Sequence, residues 1–420
     1  MSASGTRKEI GRDSYNQGLM ITIENQIGKS RTIGHLKGGN GGPTMIFFGG
    51  IHGNEPSGEE AMQEVFLGIE ENEISVTGSI YGIRGNIAAL LEGKRFVDRD
   101  LNRLWTDEKI EKIKAKAENE LLNEDRELLS IHQVLLDILK TESGPFYFID
   151  FHTTSSKTLP FITINDALIN RKFSKLFPVP IILGIEEYLD GPLLSYINEQ
   201  GYLAIGFESG QHTAKEAVDN SIAFMWLSLV YGGALKRADV DGFEGYYRQL
   251  QNSAKENASF FEIIHRHPIA PGDKFHMLPG FRSFDVVNKG KILAEHNDKA
   301  VLALQKSSIF MPLYQSQGED GFFLIRKTPK FALWLSVLFR KIRMPALLPI
   351  LPGVSWADKN KGTLLVNERT ARFMAKPLFH LLGYRNRVIN KGEILMTSRE
   401  ATAKNKMYSR TWWYRNKKSV

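Results

Sequence analysis

Through about residue 240 the chain alternates short apolar runs with longer stretches whose apolar residues recur at helical spacing. "MITIENQ" and "TMIFFGG" read as strands, the second apolar enough to be buried on both faces. "PSGEEAMQEVFLGI" predicts a helix, with Glu59 and Glu60 in a first turn where carboxylates suit the dipole. "GSIYGIRG" predicts another strand. Residues 106–140 are charged and become apolar at helical spacing towards their end, which predicts one long helix. "PFYFIDFHTT" and "LAIGFESGQH" each predict a strand that empties into polar residues, and "AKEAVDNSIAFMWLSLVYGGAL" predicts the helix that follows. This alternation predicts an α/β domain on a largely buried sheet, whose ligands collect at the carboxyl edge of the strands.

From about residue 245 the texture changes to short alternating segments cut by Gly, Pro and Asn-Asp turns, the pattern of a smaller β-rich domain. The division expected is 1–244 for the α/β domain and 245–420 for the β-rich one. A basic and apolar insertion near 326–356 interrupts the second, and "RVINKGEILM" predicts a closing strand pair.

At 420 residues and 42% hydrophobic content the chain can bury at least one large core. It has no cysteine, which excludes disulfides and thiolate ligands and leaves His, Asp and Glu to hold any metal. The first residues lack the apolar core of a secretory signal, so a cytoplasmic location is expected. No stretch reaches the roughly 18–20 continuous apolar residues of a membrane-spanning helix. The net charge of +7 lies mostly in the C-terminal third, where six basic residues and no acidic one stand between Arg326 and Arg343. That charge accompanies apolar residues and no nucleic-acid motif, so nucleic acid is not an expected partner. It is compatible with peripheral membrane contact or self-association through 326–356, or with packing on the protein itself. The aromatic end "TWWYRNKK" has the same readings, a frayed tail being the simplest.

The candidate chemistry sits where strands end. His52 and Glu55 follow the apolar run "MIFF" within "GGIHGNEPSG" and can converge on one ion from a strand-to-helix turn. Gly49, Gly50 and Gly53 would let the backbone pass close to that ion. His152, in "IDFHTTSS", is the natural third ligand, with Asp150 two residues earlier on the same side of the strand to orient an imidazole. Two His and one Glu leave zinc an open position. Glu208, in "GFESGQH", would then be the general base, its pKa raised by desolvation at a strand end. "GKRFVDRDLNRLW" offers Arg95 to stabilise an oxyanion, with Asn102 and Arg103 to grip a substrate carboxylate.

Taken in order, "GGIHGNEPSG", "RFVDRDLNRLW", "DFHTTSS" and "FESGQH" resemble the succinylglutamate desuccinylase/aspartoacylase family of zinc hydrolases, over roughly residues 40–325. The resemblance implies a metallocarboxypeptidase-like domain with a mixed central sheet flanked by helices, and a smaller β domain leaning over the site. Carried over by motif, His52, Glu55 and His152 would bind one Zn2+ and Glu208 would be the base. Arg95 would polarise the scissile carbonyl, and Asn102 and Arg103 would hold the α-carboxylate of an N-acyl amino acid. Two departures bear on substrate. Where aspartoacylases carry an arginine about ten residues before the base, Asn198 stands here, and the family's late tyrosine has Tyr314, Phe322 or Phe323 as possible counterparts. The function expected is therefore a zinc-dependent amidohydrolase acting on a small N-acyl amino acid. The alternative is carboxypeptidase or esterase action on a larger substrate.

Overall fold

The computed structural model describes residues 30–342, 344–359, 362–367, 381–390 and 393–415, and the strand expected at "MITIENQ" lies outside them. The first part of the chain supplies β1 (Thr32–Lys37), β2 (Gly39–Gly49), α1 (Ser57–Glu71), β3 (Thr77–Arg84), α2 (Ile87–Glu92), α3 (Asp107–Lys114), α4 (Asn123–Thr141) and β4 (Phe146–Thr154). Next come β5 (Phe161–Ile164), α5 (Leu168–Ser174), β6 (Ile181–Leu183), α6 (Leu193–Glu199), β7 (Leu203–Gln211), α7 (Lys215–Gly232) and α8 (Phe243–Ser253). Strands dominate thereafter: β8 (Phe260–Pro268), β9 (Phe275–Met277), β10 (Val286–Val287), β11 (Ile292–His296), β12 (Lys299–Leu302), β13 (Ser307–Phe310) and β14 (Asp320–Lys327). After α9 (Lys330–Lys341) come β15 (Val354–Asp358), β16 (Thr363–Asn367), β17 (Tyr384–Asn390) and β18 (Glu393–Ser398), the last two being the expected closing pair.

Eleven strands form one sheet in the order β1-β3-β2-β4-β7-β5-β6-β8-β14-β13-β10. Its centre, β3-β2-β4-β7, is parallel, while β1 and β5 pair antiparallel with β3 and β7, so the sheet is mixed. β8 joins β6 in parallel, and the same sheet thereby continues into the β-rich part. A three-stranded sheet, β12-β11-β9, and a four-stranded one, β15-β16-β18-β17, complete the strands.

The continuous apolar runs have a plain cause: each central strand is covered on both faces. Met45 and Phe47 of β2, Ile149 and Phe151 of β4, and Ile205 and Phe207 of β7 pack with α1 and α7. The alternate residues Ile46, Phe48, Phe148 and Ala204 pack with α3, α4 and α6. Continuing that period of two, Asp150 and His152 follow Phe148, and Gly206 and Glu208 follow Ala204, all on the second face. The chemistry of the molecule thus starts where apolar packing on that face stops.

The single helix expected over 106–140 is two, α3 and α4, separated by a short 3-10 turn at Glu118–Glu120. No Gly or Pro marks the break. It is set by groups from elsewhere: Asp98 Oδ2 accepts the Asn123 N–H at 2.8 Å and Asp125 Oδ2 accepts the Leu122 N–H at 3.1 Å, with Lys116 on the same carboxylate. Among the described residues no helix is long and apolar enough to cross a membrane.

The aromatic end of the chain is not a frayed tail through Arg415. Tyr408 and Trp413 are fully buried, Trp413 meeting Tyr147 and Phe173 edge-to-face with its Nε1–H donating to Tyr147 Oη at 3.2 Å. Truncation of a buried tryptophan leaves a large cavity, so Trp413→Ala is expected to destabilise the protein by about 3–5 kcal/mol in chemical denaturation. A change below about 1 kcal/mol would show that this end is peripheral to the fold.

Candidate metal centre and substrate cleft

β2 ends at Gly49 and the chain turns sharply into α1, which brings His52 and Glu55 beneath the end of β4. Gly53 is required in this turn because a Cβ there would stand 2.0 Å from the Ala89 backbone carbon. Its smallness therefore serves close contact with α2. The Gly53 N–H also donates to the Arg95 carbonyl at 3.2 Å, joining this turn to the loop that carries Arg95.

The centre is built around the Glu55 carboxylate. Oε1 lies 2.9 Å from His52 Nδ1, and Oε2 lies 3.0 Å from His152 Nδ1 while accepting the Thr153 N–H at 3.0 Å. Arg95 Nη1 approaches Oε1 at 3.4 Å. The outer nitrogens are held too: His52 Nε2 is 3.2 Å from Asp100 Oδ1, and His152 Nε2 is 2.7 Å from Asp150 Oδ2. Donor atoms of His52, Glu55 and His152, all three buried, lie within 4.8 Å of one another.

This arrangement fits a divalent cation. Carboxylates can only accept, so Asp100 and Asp150 fix the imidazole protons on Nε2 and turn each Nδ1 lone pair towards Glu55. Lone pairs of nitrogen and carboxylate then face one another at hydrogen-bond distance, which needs either a proton on each ring or a cation among them. The formal charges agree: three carboxylates against the Arg95 guanidinium leave a double negative charge when both imidazoles are neutral. In the protein alone, burial opposes charge at each group but the partners prevail. His152 is held well above the usual histidine range by Asp150 and Glu55 against the pull of burial. Burial pushes Glu55 up, yet His52 and His152 hold it well below the carboxylate range. Asp100 is likewise held low, against burial, by Arg95 and His52.

Glu208 stands beside this cluster, its Cα paired with that of His152 across β4 and β7. It is buried, Oε2 has no hydrogen-bond partner, and burial, only partly opposed by His152, pushes its carboxyl up to about 8. Arg95 is bound by Asp100 Oδ2 at 3.0 Å and keeps its Nε without a partner. Asn102 Oδ1 accepts the Leu193 N–H at 2.9 Å, so its amide NH2 is what it can offer a ligand. Arg103 Nη2 donates to Asp320 Oδ2 at 3.0 Å, a contact with β14. The seven residues given ligand, base or substrate-binding roles in the sequence line one cleft, and Asp150 stands behind His152 outside it.

Several participants were not singled out. Asp100 lay inside the quoted "DRDLNR" but had no role assigned. Glu124, in the first turn of α4, is fully buried and accepts from Asn86 Nδ2 at 2.9 Å and from the N–H groups of Val97, Asp98 and Arg99 at 2.7, 3.0 and 3.1 Å. It shapes the loop that presents Arg95, Asp100, Asn102 and Arg103, and nothing in a charged helix distinguishes it by sequence. His212, within the quoted "SGQH", donates its Nε2–H to Gln315 Oε1 at 3.1 Å and, as a neutral ring, accepts the Thr153 hydroxyl at Nδ1 (2.7 Å), while Asn54 Nδ2 donates to the same Gln315 oxygen at 2.9 Å. These contacts hold the segment leading into β14 along the cleft mouth. Of the tyrosine counterparts, Tyr314 is turned to Leu278 and Phe281 and does not line this cleft, whereas Phe323 does. Asn198 is bonded to Asn170 at 2.6 Å and also stands outside the lining.

Residues 41–222 match the catalytic domain described as Succinylglutamate desuccinylase/Aspartoacylase. Over 64 residues the chain is 38% identical to the succinylglutamate desuccinylase of Ectopseudomonas mendocina (strain ymp), a match covering 15% of this chain and 19% of that protein. The same coverage holds for that of Pseudomonas putida (strain GB-1), at 31% identity. The chain thus matches about a fifth of the length of these curated relatives. The structure of succinylglutamatedesuccinylase/aspartoacylase from Rhodobacter sphaeroides superposes with a TM-score of 0.52 at 15% identity, covering 71% of this chain and 89% of that one. Succinylglutamate desuccinylase from Vibrio parahaemolyticus gives 0.50 at 15% identity, covering 70% and 86%. At such identities the structures establish a shared fold. With four motifs in order and one cleft that gathers them, residues 41–222 are similar to the catalytic domain of the succinylglutamate desuccinylase/aspartoacylase family.

Proposed function

We propose that the protein is a zinc-dependent deacylase that hydrolyses the amide bond of an N-acyl amino acid. The observation that carries this reading is the convergence of His52, Glu55 and His152 beside a buried carboxylate, Glu208, with an unpartnered oxygen. Zinc held by those three residues supplies a Lewis acid and a nucleophile available at neutral pH.

The chain's own groups do the rest. Glu208 Oε2 takes the proton of the attacking water and returns it to the leaving nitrogen, a task that suits a carboxyl raised by burial. Arg95, with its free Nε–H, stabilises the oxyanion that forms at the scissile carbonyl. The Asn102 NH2 and the remaining donors of Arg103 hold the substrate α-carboxylate. A small substrate is favoured over a peptide because Gln315, pinned by Asn54 and His212, and the residues around Asp320 cover one side of the cleft.

Elemental analysis of the purified protein is expected to find about one zinc per chain, and His52→Ala to lose it. Glu208→Gln is expected to keep the metal and lower kcat by roughly 10²–10⁴-fold in hydrolysis of N-acetyl and N-succinyl amino acids. Near-normal turnover in zinc-loaded Glu208→Gln would remove Glu208 as the base. Asp150→Asn, which still reaches His152 but no longer favours the Nε2–H tautomer, is expected to weaken zinc binding by roughly 10–100-fold in a chelator competition. Unchanged affinity would show that Asp150 serves the strand and not the metal.

A further inference from the structure

The cleft has a deep arm that the proposed chemistry does not use. Gly206 precedes Glu208 by two residues on the same face of β7, and a Cβ there would stand 2.5 Å from Thr163 Oγ1 and 2.9 Å from Leu194 Cδ1. The absent side chain leaves room beside Thr163, which lines the cleft together with Glu208, Asn165 and Ser195, the last two bonded to each other at 3.4 Å. Glu186, only 1% exposed, lines the same cleft. Glu186 Oε1 is occupied: it accepts the Asp166 N–H at 3.3 Å and pairs with Arg399 at 2.7 Å. Glu186 Oε2 is buried without a partner. Arg399 is shared with Glu187 at 2.8 Å.

Arg399, the cation paired with this end, is not among the residues that line the cleft. The basic residues among those lining the cleft are Arg95 and Arg103, engaged by Asp100 and Asp320 near the mouth. A substrate carboxylate in the deep arm would meet an unpaired oxygen acceptor; an N–H donor would satisfy it. An orphaned buried acceptor is costly, more so when charged, and a fitting donor recovers that cost. Building on the deacylase reading, we infer that the deep arm is a side-chain subsite for amino acids ending in an N–H donor, an ammonium or an amide, with Glu186 Oε2 as acceptor.

The test is kcat/KM for four Nα-acetyl amino acids in two isosteric pairs, ornithine with norleucine and glutamine with glutamate. Ornithine should exceed norleucine, and glutamine should exceed glutamate, each by at least about tenfold. Glu186→Gln should shrink the ornithine-to-norleucine ratio by a similar factor. Equal rates within the first pair, or glutamate above glutamine, overturn the subsite while leaving the deacylase intact. Hydrolysis of none of the four defeats the deacylase reading instead, and the rank order is then read from equilibrium binding of the same compounds. If the variant does not fold, the wild-type rank order decides alone.

A separate observation concerns α9. Its Ser336, Val337 and Arg340 are buried, Arg340 reaching Asp166 Oδ2 at 2.7 Å, so that face is committed to the protein. The other face displays Phe331 (69% exposed), Trp334 (58%), Leu338 and Ile342 at helical spacing, and Phe331 and Trp334 stack at 6.1 Å. Exposed Lys327, Lys330 and Lys341 flank it. Lys175, just after α5, and Lys172, on it, lie near enough that burial first, then Lys330 and Lys341 respectively, depress their ammonium groups. Crowded cations around an apolar, aromatic stripe complement an anionic lipid surface. A second copy is a poor occupant, because a symmetric contact would set the same lysines against themselves.

We infer that α9 lies in the interface of an anionic bilayer, aromatic face inward and lysines at the phosphates. Flotation of the full-length protein should succeed with vesicles of phosphatidylcholine plus phosphatidylglycerol, weaken with added salt, and fail with phosphatidylcholine alone. The double variant Phe331→Glu, Trp334→Glu alters only exposed positions and should abolish it. No flotation with anionic vesicles overturns the inference. So does self-association without lipid that the double variant removes, which would assign the face to a second copy.

Discussion

The centre of the molecule depends on one carboxylate kept from water. Glu55 is surrounded by His52, His152, the Thr153 N–H and Arg95, and two further carboxylates stand behind the imidazoles. Isolated burial of such a group is costly, so it persists only where its lone pairs are met. Here the surroundings over-supply acceptors: the histidines are oriented by Asp100 and Asp150, and their inner nitrogens are turned to an acid. His52, Glu55 and His152 are thus positioned by their own hydrogen-bond partners in an arrangement that could hold a metal ion.

That arrangement is held from three directions. The parallel strands β2, β4 and β7 bring His52, Glu55, His152 and Glu208 to one sheet edge. Glu124 gathers the backbone of residues 97–99 from below, so the loop with Arg95 and Arg103 is placed by a buried acid on α4. Asp320, on β14, then receives both Arg103 and Arg266 and ties the loop to the strands that follow. Loosening any of the three moves charged groups relative to one another in a medium of low polarity, where small displacements matter most.

The C-terminal elements also reach this region. Arg340 of α9 meets Asp166 and Glu400, and Arg399 meets Glu186 and Glu187 behind the deep arm of the cleft. Buried pairs of this kind are weak stabilisers but strict about geometry. They fix where the far wall of the cleft stands, while the opposite side of α9 is left exposed and apolar.

The sequence by itself determined the α/β alternation, the strands β2, β4 and β7, the closing pair β17 and β18, and the ligand and base candidates. Apolar runs followed at once by His or Glu are a local signal, and three of them in order, with the Arg- and Asp-rich segment 95–105, resemble a known family. Other features had no local signal. The break between α3 and α4 comes from Asp98 and Asp125 capping backbone groups, without Gly or Pro. Glu124 reads as one more charge on a charged helix, yet it is buried because distant N–H groups converge on it. Gly53 is needed by the backbone of α2, and Trp413 is core because Tyr147 and Phe173 form its socket. Glu186 became a cleft wall only when the chain folded it into the lining. Tertiary structure decided these points for one physical reason: burial and hydrogen-bond partners belong to the space around a residue, and its sequence neighbours do not specify that space.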